Sequence, residues 1–240
     1  MRTLALAKRT FTEVWRDPLT LALTVGLPAA LLVVFQAFGQ FDDIYKPASL
    51  TPGIVLFGFV MLMFSMAMTL SRDRESALFA RLLTAPLRSN EFVTAYSLPY
   101  IPVAIIQGIL LFAVGAVLGM EIRGNLGLVA LILLVTAIFY IALGMIVGST
   151  FSYKTVPFAY MVILLLTIFG GAWMNLEAIG GTFQTVGNVF PFAHALDASR
   201  AVIVDGVGFG EIASDFFWVL GYTAATLVLA IYLFKRRMID

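Results

Sequence analysis

Apolar residues run along this chain in six long blocks, roughly 19–38, 53–70, 92–120, 126–150, 155–174 and 216–234. None of them holds an Asp, Glu, Lys or Arg. An α-helix rises about 1.5 Å per residue, so about 20 apolar residues cross a hydrocarbon core of about 30 Å. A soluble core helix would show a polar stripe, and these blocks show none. The pattern predicts an all-α membrane protein with six transmembrane helices, forming a single domain over 1–240. Block 92–120 is too long for one perpendicular span. Pro99 and Pro102 predict a lead-in followed by a bend.

The segments between the blocks differ in character. Over 1–18, Leu4, Ala7, Phe11 and Val14 recur at helical spacing with Trp15 beside them, while Arg2, Arg9, Glu13 and Arg16 take the opposite face. That predicts an amphipathic interfacial helix, with a plain cytosolic lead-in as the alternative. Pro18 then suits the first position of the first span. Segment 71–90 gathers Arg72, Asp73, Arg74 and Glu75 into an otherwise greasy stretch. Helix-compatible residues follow, with an apolar ridge of Leu78, Phe79, Leu82 and Leu83, until Pro86 forces a stop. Arg74 and Arg81 fall seven apart on one face. A cytoplasmic helix over 72–86 of this kind either docks into a partner's groove or rests on lipid headgroups.

Segment 175–214 is long, apolar and glycine-rich. A structureless loop of that length is improbable, so an external re-entrant helical hairpin is expected before the last span. Pro191 suits a helix start, which would place His194, Asp197 and Arg200 on one face. They form either a gate at the exit or a structural cluster. One histidine and one carboxylate are too few ligands for a metal. The pairs Gly115–Gly119 and Gly144–Gly148 read as ordinary helix packing within the chain.

Composition confirms the class: mean hydropathy is +0.98. The net charge of +1 says nothing about nucleic acid. The distribution of charge says more. With a cytoplasmic N-terminus, the inner segments hold Arg2, Lys8, Arg9, Arg16, Arg72, Arg74, Arg81, Arg88, Lys154, Lys235, Arg236 and Arg237, twelve of the 15 basic residues. Lys46, Arg123 and Arg200 remain outside. The positive-inside rule thus places both termini in the cytoplasm. The basic leader and the long first block exceed a signal peptide's dimensions, so no cleavage is expected. With no cysteine, there is neither a disulfide framework nor a thiolate metal site. There is no GxxxxGK[ST], no HExxH, no carboxylate pair at membrane depth and one histidine only. An autonomous catalyst or ion-driven pump is therefore disfavoured, and energy must come from elsewhere.

Two stretches resemble a known family. "RESALFARLLTAPLRSNEF" resembles the coupling segment of ABC exporter permeases of the type-2 family, which read close to E-S-G-T-L-x-R-L-L-x-x-P. Glu75, Ser76, Arg81, Leu82, Leu83 and Pro86 match, while Ala77 and Leu78 replace the usual Gly-Thr. "PFAHALDASR" matches a second family pattern through Pro191, Phe192, His194 and Arg200. The resemblance implies a permease dimer, as homodimer or heterodimer, in the plasma (inner) membrane. Two separate cytoplasmic ABC ATPase subunits would hold ATP and Mg, with no cofactor on this chain and no nucleic acid partner. It implies ATPase contacts at Arg72, Asp73, Arg74, Glu75, Leu78, Arg81 and Leu82, and secondarily at Tyr153 and Lys154. A path between two copies would be lined by Phe57, Met61, Phe64 and Met68, with Phe169, Trp173 and Asn175 closing the fifth span. Adaptable Met and aromatic side chains suit a hydrophobic or amphipathic cargo, such as a drug, lipid-like compound or natural product. The alternatives are a polysaccharide or glycolipid exporter permease and a non-transporting membrane assembly factor. A lipid-active enzyme is a third class, and lacks a catalytic constellation.

Overall fold

The computed structural model describes residues 2–76, 89–174 and 176–238, and these are helical throughout with short connections. The helices are α1 (Arg2–Arg16), α2 (Pro18–Leu21), α3 (Leu27–Phe35), α4 (Pro47–Arg74), α5 (Ser89–Ser97), α6 (Tyr100–Val117), α7 (Leu126–Thr150), α8 (Val156–Thr167), α9 (Leu176–Ile179), α10 (Gly181–Gly187), α11 (Pro191–Arg200) and α12 (Phe209–Met238). Wider π-helical turns at Ala22–Gly26, Ile168–Ala172 and Ala201–Asp205 extend α2, α8 and α11. Among the described residues, five helical stretches are long and apolar enough to cross a membrane: Ala22–Gln40, Pro47–Arg74, Glu91–Val117, Leu126–Thr150 and Phe209–Arg236. The fifth apolar block of the sequence forms Val156–Ala172, which is shorter. The expected count of six spans thus becomes five full-length helices and one short one.

The core is built around α4, whose middle is the most buried stretch of any span. Leu56, Val60, Leu62, Met63 and Met66 have no exposed surface. α7 packs along α4 on one side and α12 on the other. Glycine sets the α4–α7 approach: a Cβ at Gly144 would lie 2.8 Å from the Met63 carbonyl oxygen, and at Gly148 2.9 Å from that of Ala67. Any larger residue would push the helices apart. The other pair splits its duties. Gly115 abuts Thr51 of α4, whereas Gly119 ends α6 at φ 89°, where a side chain is disfavoured. The outer surface of the bundle is apolar, with Ile109, Val117, Phe158, Val162 and Val228 all exposed. In water such a surface would be an aggregation liability, and it suits lipid contact.

Several expected boundaries move. The bend around Pro99 and Pro102 is a break between α5 and α6 at Leu98 and Pro99. The second span runs on to Arg74, so Arg72–Arg74 form the last turn of a membrane helix rather than the start of a separate one. The expected helix over 72–86 mostly lies outside the described residues, as do Leu78, Arg81, Leu82 and Asn175. The last span begins at Phe209, not at 216, because Asp215 has a partner that lets the helix carry it. Segment 175–214 does fold into short helices. α11 is buried among α12, α7 and α4 through Phe192, Ala195, Leu196 and Ala198.

Candidate functional site

At the end of α4 that meets α1, four charged residues in succession each reach a different neighbour. Asp73, with a side chain 6% exposed, would be costly to bury alone. Arg9 of α1 donates to both its oxygens, Nη1 to Oδ2 and Nη2 to Oδ1, each at 3.1 Å. Tyr96 of α5 donates its hydroxyl to Oδ2 at 2.9 Å. This two-pronged guanidinium–carboxylate contact is the strong form of ion pair. Arg72 pairs with Glu13, which also meets Arg9 at 3.4 Å. Arg74 donates to the carbonyls of Ser149 and Phe151, satisfying the last turn of α7. Glu75 accepts the backbone N–H of Tyr153 at 2.9 Å. Of the side chains read from the sequence as contacts for a partner, Arg72, Asp73, Arg74 and Glu75 are therefore engaged within the chain. They fasten α1, α4, α5 and the 151–155 turn into one unit. Tyr153 and Lys154 keep exposed side chains on that turn.

Helix α1 accordingly has two occupied faces. Ala7, Thr10 and Val14 are buried, with α1 lying along α5. Phe11 is 40% exposed and its ring lies 5.6 Å from Trp15. Arg9 and Glu13, expected on a solvent face, are the bolts to α4.

Beside this unit lies a cavity of about 430 Å³ between the first span, α4 and α8. Met61, Phe64 and Met68 line it, as do Thr20, Thr24, Ser65, Thr69 and Tyr160; Glu13, Asp17, Arg72 and Tyr153 stand at its charged end. Tyr160 packs its ring at a tilt against Phe64, with ring centres 4.5 Å apart, and donates its hydroxyl to the Met61 sulfur at 3.3 Å. The lining thus combines hydroxyls with polarizable apolar surface, the mixture that holds an amphipathic molecule without covalent chemistry. The remaining expected path residues lie elsewhere. Phe57 is nearly buried and packs on Trp173, which also meets Phe35, both at 5.1 Å. Phe169 is 44% exposed. Among the described residues, Met61, Phe64 and Met68 line this cavity and Phe57, Phe169 and Trp173 do not. Sequence reasoning missed Thr20, Thr24 and Tyr160 as lining. Their signal was available: Thr20–Thr24 and Ser65–Thr69 are hydroxyl pairs one turn apart in otherwise apolar spans. A second cleft of about 420 Å³, between α6 and α7, is lined by apolar residues alone.

At the opposite end, Pro191 opens α11, and its Arg200 and His194 find separate partners. Arg200 donates Nε to the Ser49 carbonyl at 3.0 Å, and Nη2 to those of Gly171 and Ala172 at 3.0 and 3.3 Å. It thereby ties the start of α4 to the π turn after α8. The two backbones nearly touch there: a Cβ on Gly53 would lie 2.0 Å from the Ala172 oxygen. His194 reaches the other way. Nδ1 meets Asp215 Oδ1 of α12 at 2.7 Å, and Nε2 meets the Asn188 carbonyl at 2.9 Å. The hydrogen bond to Asp215 raises its pKa above the usual 6.5, against partial burial. Asp197 adds its negative charge to the surroundings of both His194 and Arg200. The expected single network is two clamps that share one carboxylate's field.

Two comparisons bear on this architecture. The chain is similar to "ABC transporter G family member 20" of Dictyostelium discoideum, 24% identical over 189 residues. The match covers 76% of this chain but only 26% of that relative, so the chain spans about a quarter of the relative's length. Residues 1–204 match the family model for the ABC-2 type transporter. That match runs through the α1–α4 fastening, the cavity and the Arg200 clamp, and the chain belongs to the ABC-2 type transporter family.

Proposed function

We propose that this chain is the membrane-spanning subunit of an ATP-driven exporter, moving a hydrophobic or amphipathic molecule out of the cytoplasm. A cytoplasmic ABC ATPase in two copies supplies the energy, and a second permease subunit completes the translocation unit. In this reading both termini, α1 and the 151–155 turn are cytoplasmic, as the basic residues favour. Val156–Ala172 is the sixth span. Its 17 residues rise about 25 Å, enough to cross where the bilayer thins or neighbours shield its end. The observation that carries the proposal is the placement of the mixed cavity against the charged end of α4. Glu13 and Arg72 belong to both. A push on 72–76 or on 151–155 would move a cavity wall directly, with no long relay needed.

Co-purification with candidate ABC ATPases, followed by proteoliposome transport of an amphipathic dye, tests the reading. The expected result is an ATPase bound to wild-type protein but released by Arg81→Glu combined with Lys154→Glu, and dye movement that requires ATP. An ATPase that binds without any cargo moving would favour the assembly-factor reading. Failure of every ATPase to bind would remove the proposal.

A further inference from the structure

His194 sits between two acceptors that carry no hydrogen of their own: the Asp215 carboxylate at Nδ1, 2.7 Å, and the Asn188 carbonyl at Nε2, 2.9 Å. A neutral imidazole has one N–H, so it can satisfy only one of them and must turn a lone pair toward the other. Only the imidazolium donates to both. The Trp218 ring, 5.2 Å away, walls one side and leaves the side chain 22% exposed. Two carboxylates favour the same state, Asp215 of α12 and Asp197 of α11. Arg200 of α11 is a cation and is turned to the carbonyls of Ser49, Gly171 and Ala172. The π turn after α11 carries Asp205, α12 also carries Glu211, α4 carries its charges Arg72, Asp73 and Arg74 at its far end, and α7 carries none. Three elements meet at this one side chain: the turn after α10, helix α11 and helix α12.

We infer that His194 is a proton-dependent latch, which as an imidazolium fastens the α10–α11 corner to α12 and on losing its proton frees that corner. The sign follows from the direction of the shift. A histidine whose pKa is raised by folding contributes its full stabilisation below 6.5, and that contribution is lost as pH rises through the folded value. The corner is therefore closed in acid and loosened as pH rises through the folded value. If segment 175–214 is external, as the proposed function has it, the latch reports the pH outside. The latch itself concerns only this corner and stands whether or not the chain exports anything.

His194 is the single histidine of the chain, which makes the test unambiguous. The full chain, labelled with 15N-histidine in lipid nanodiscs, gives one pair of ring nitrogen signals to titrate. The expected midpoint lies above 6.5, with both nitrogens protonated below it. Amide exchange over 181–190, corrected for its intrinsic pH dependence, should accelerate through the same midpoint. The acceleration should be about tenfold for each pH unit by which the midpoint exceeds 6.5. Asp215→Asn should lower the midpoint, and His194→Gln should abolish the pH dependence of exchange. A midpoint at or below 6.5, or exchange that ignores the titration, overturns the latch. Should His194→Gln fail to fold, the wild-type titration and the Asp215→Asn shift decide the matter alone.

Discussion

The two ends of α4 are fastened by opposite means. At the α1 end, charge meets charge: Asp73 with Arg9, and Arg72 with Glu13. At the other end a cation, Arg200, meets backbone carbonyls of Ser49, Gly171 and Ala172. Side-chain pairs can be broken and remade with little backbone movement, whereas a guanidinium spread over three carbonyls fixes the backbone itself. In the proposed exporter the first end takes the push and the second holds a frame. The comparison teaches where a substitution will act. Changes at the α1 end should alter coupling, and changes at the Arg200 end should alter folding.

The sharpest way to break the comparison is at the closest backbone approach. Gly53→Ala places a methyl 2.0 Å from the Ala172 oxygen, and backbone rather than a flexible side chain must yield. Overpacking of this kind costs about 1–3 kcal/mol or more. The expected outcome is the largest loss of folded protein in detergent, read by size-exclusion yield and melting temperature. Arg200→Lys comes next. A lysine keeps the charge, but its point-like ammonium cannot span carbonyls on two elements as the planar fork does. Carbonyls left buried without donors cost about 1–3 kcal/mol. If Arg200→Lys melted like wild type, the charge rather than the fork would be what matters there.

At the α1 end, Asp73→Ala leaves Arg9 facing Tyr96 and Glu13 without its main partner. Removing one member of a buried pair costs about 3–5 kcal/mol. Arg9 is 39% exposed, so water can take over part of its solvation and about 2 kcal/mol is expected here. The loss should be local: α1 should become accessible to protease before the bundle melts. Global unfolding at the same midpoint would show that both ends serve as frame.

Much of this was legible in the chain. The uncharged blocks mark every long helix, because a span cannot carry an unpaired charge through lipid. The break before α6 follows from its prolines, and the packing of Gly144–Gly148 follows from small residues one turn apart. The misreadings share a cause. Asp73, Arg74 and Asp215 looked like ends of spans because charge alone was counted. Each is carried on a helix by a partner far away in sequence: Arg9, the α7 carbonyls and His194. Likewise, one helical face over His194, Asp197 and Arg200 suggested one network. His194 and Arg200 sit at the edges of a helix whose other faces are buried, and each reaches a partner on a different element. The cavity was half visible, because Met61, Phe64 and Met68 mark one wall, and the opposing wall comes from a contact between distant segments.

The smallest effect on stability should come from the Arg72–Glu13 pair. Its side chains are 55% and 32% exposed, and exposed pairs of this kind contribute at most about 1 kcal/mol and weaken with salt. Arg72→Gln should therefore melt almost as wild type does. Both residues nevertheless face the cavity, where Asp17 is also present. Glu13 and Asp17 already outnumber Arg72 there, so removing the Arg72 charge makes the cavity mouth more negative, and a cationic amphiphile should gain affinity relative to an anionic one of equal size. Fluorescence titration of such a matched pair of dyes, at low and high salt, reads the change directly. A cation preference that grows in Arg72→Gln and fades with salt would place the binding site at this mouth. Equal affinities for the two dyes in both proteins would place cargo binding elsewhere, and would leave the pair with a purely mechanical role at the end of α4.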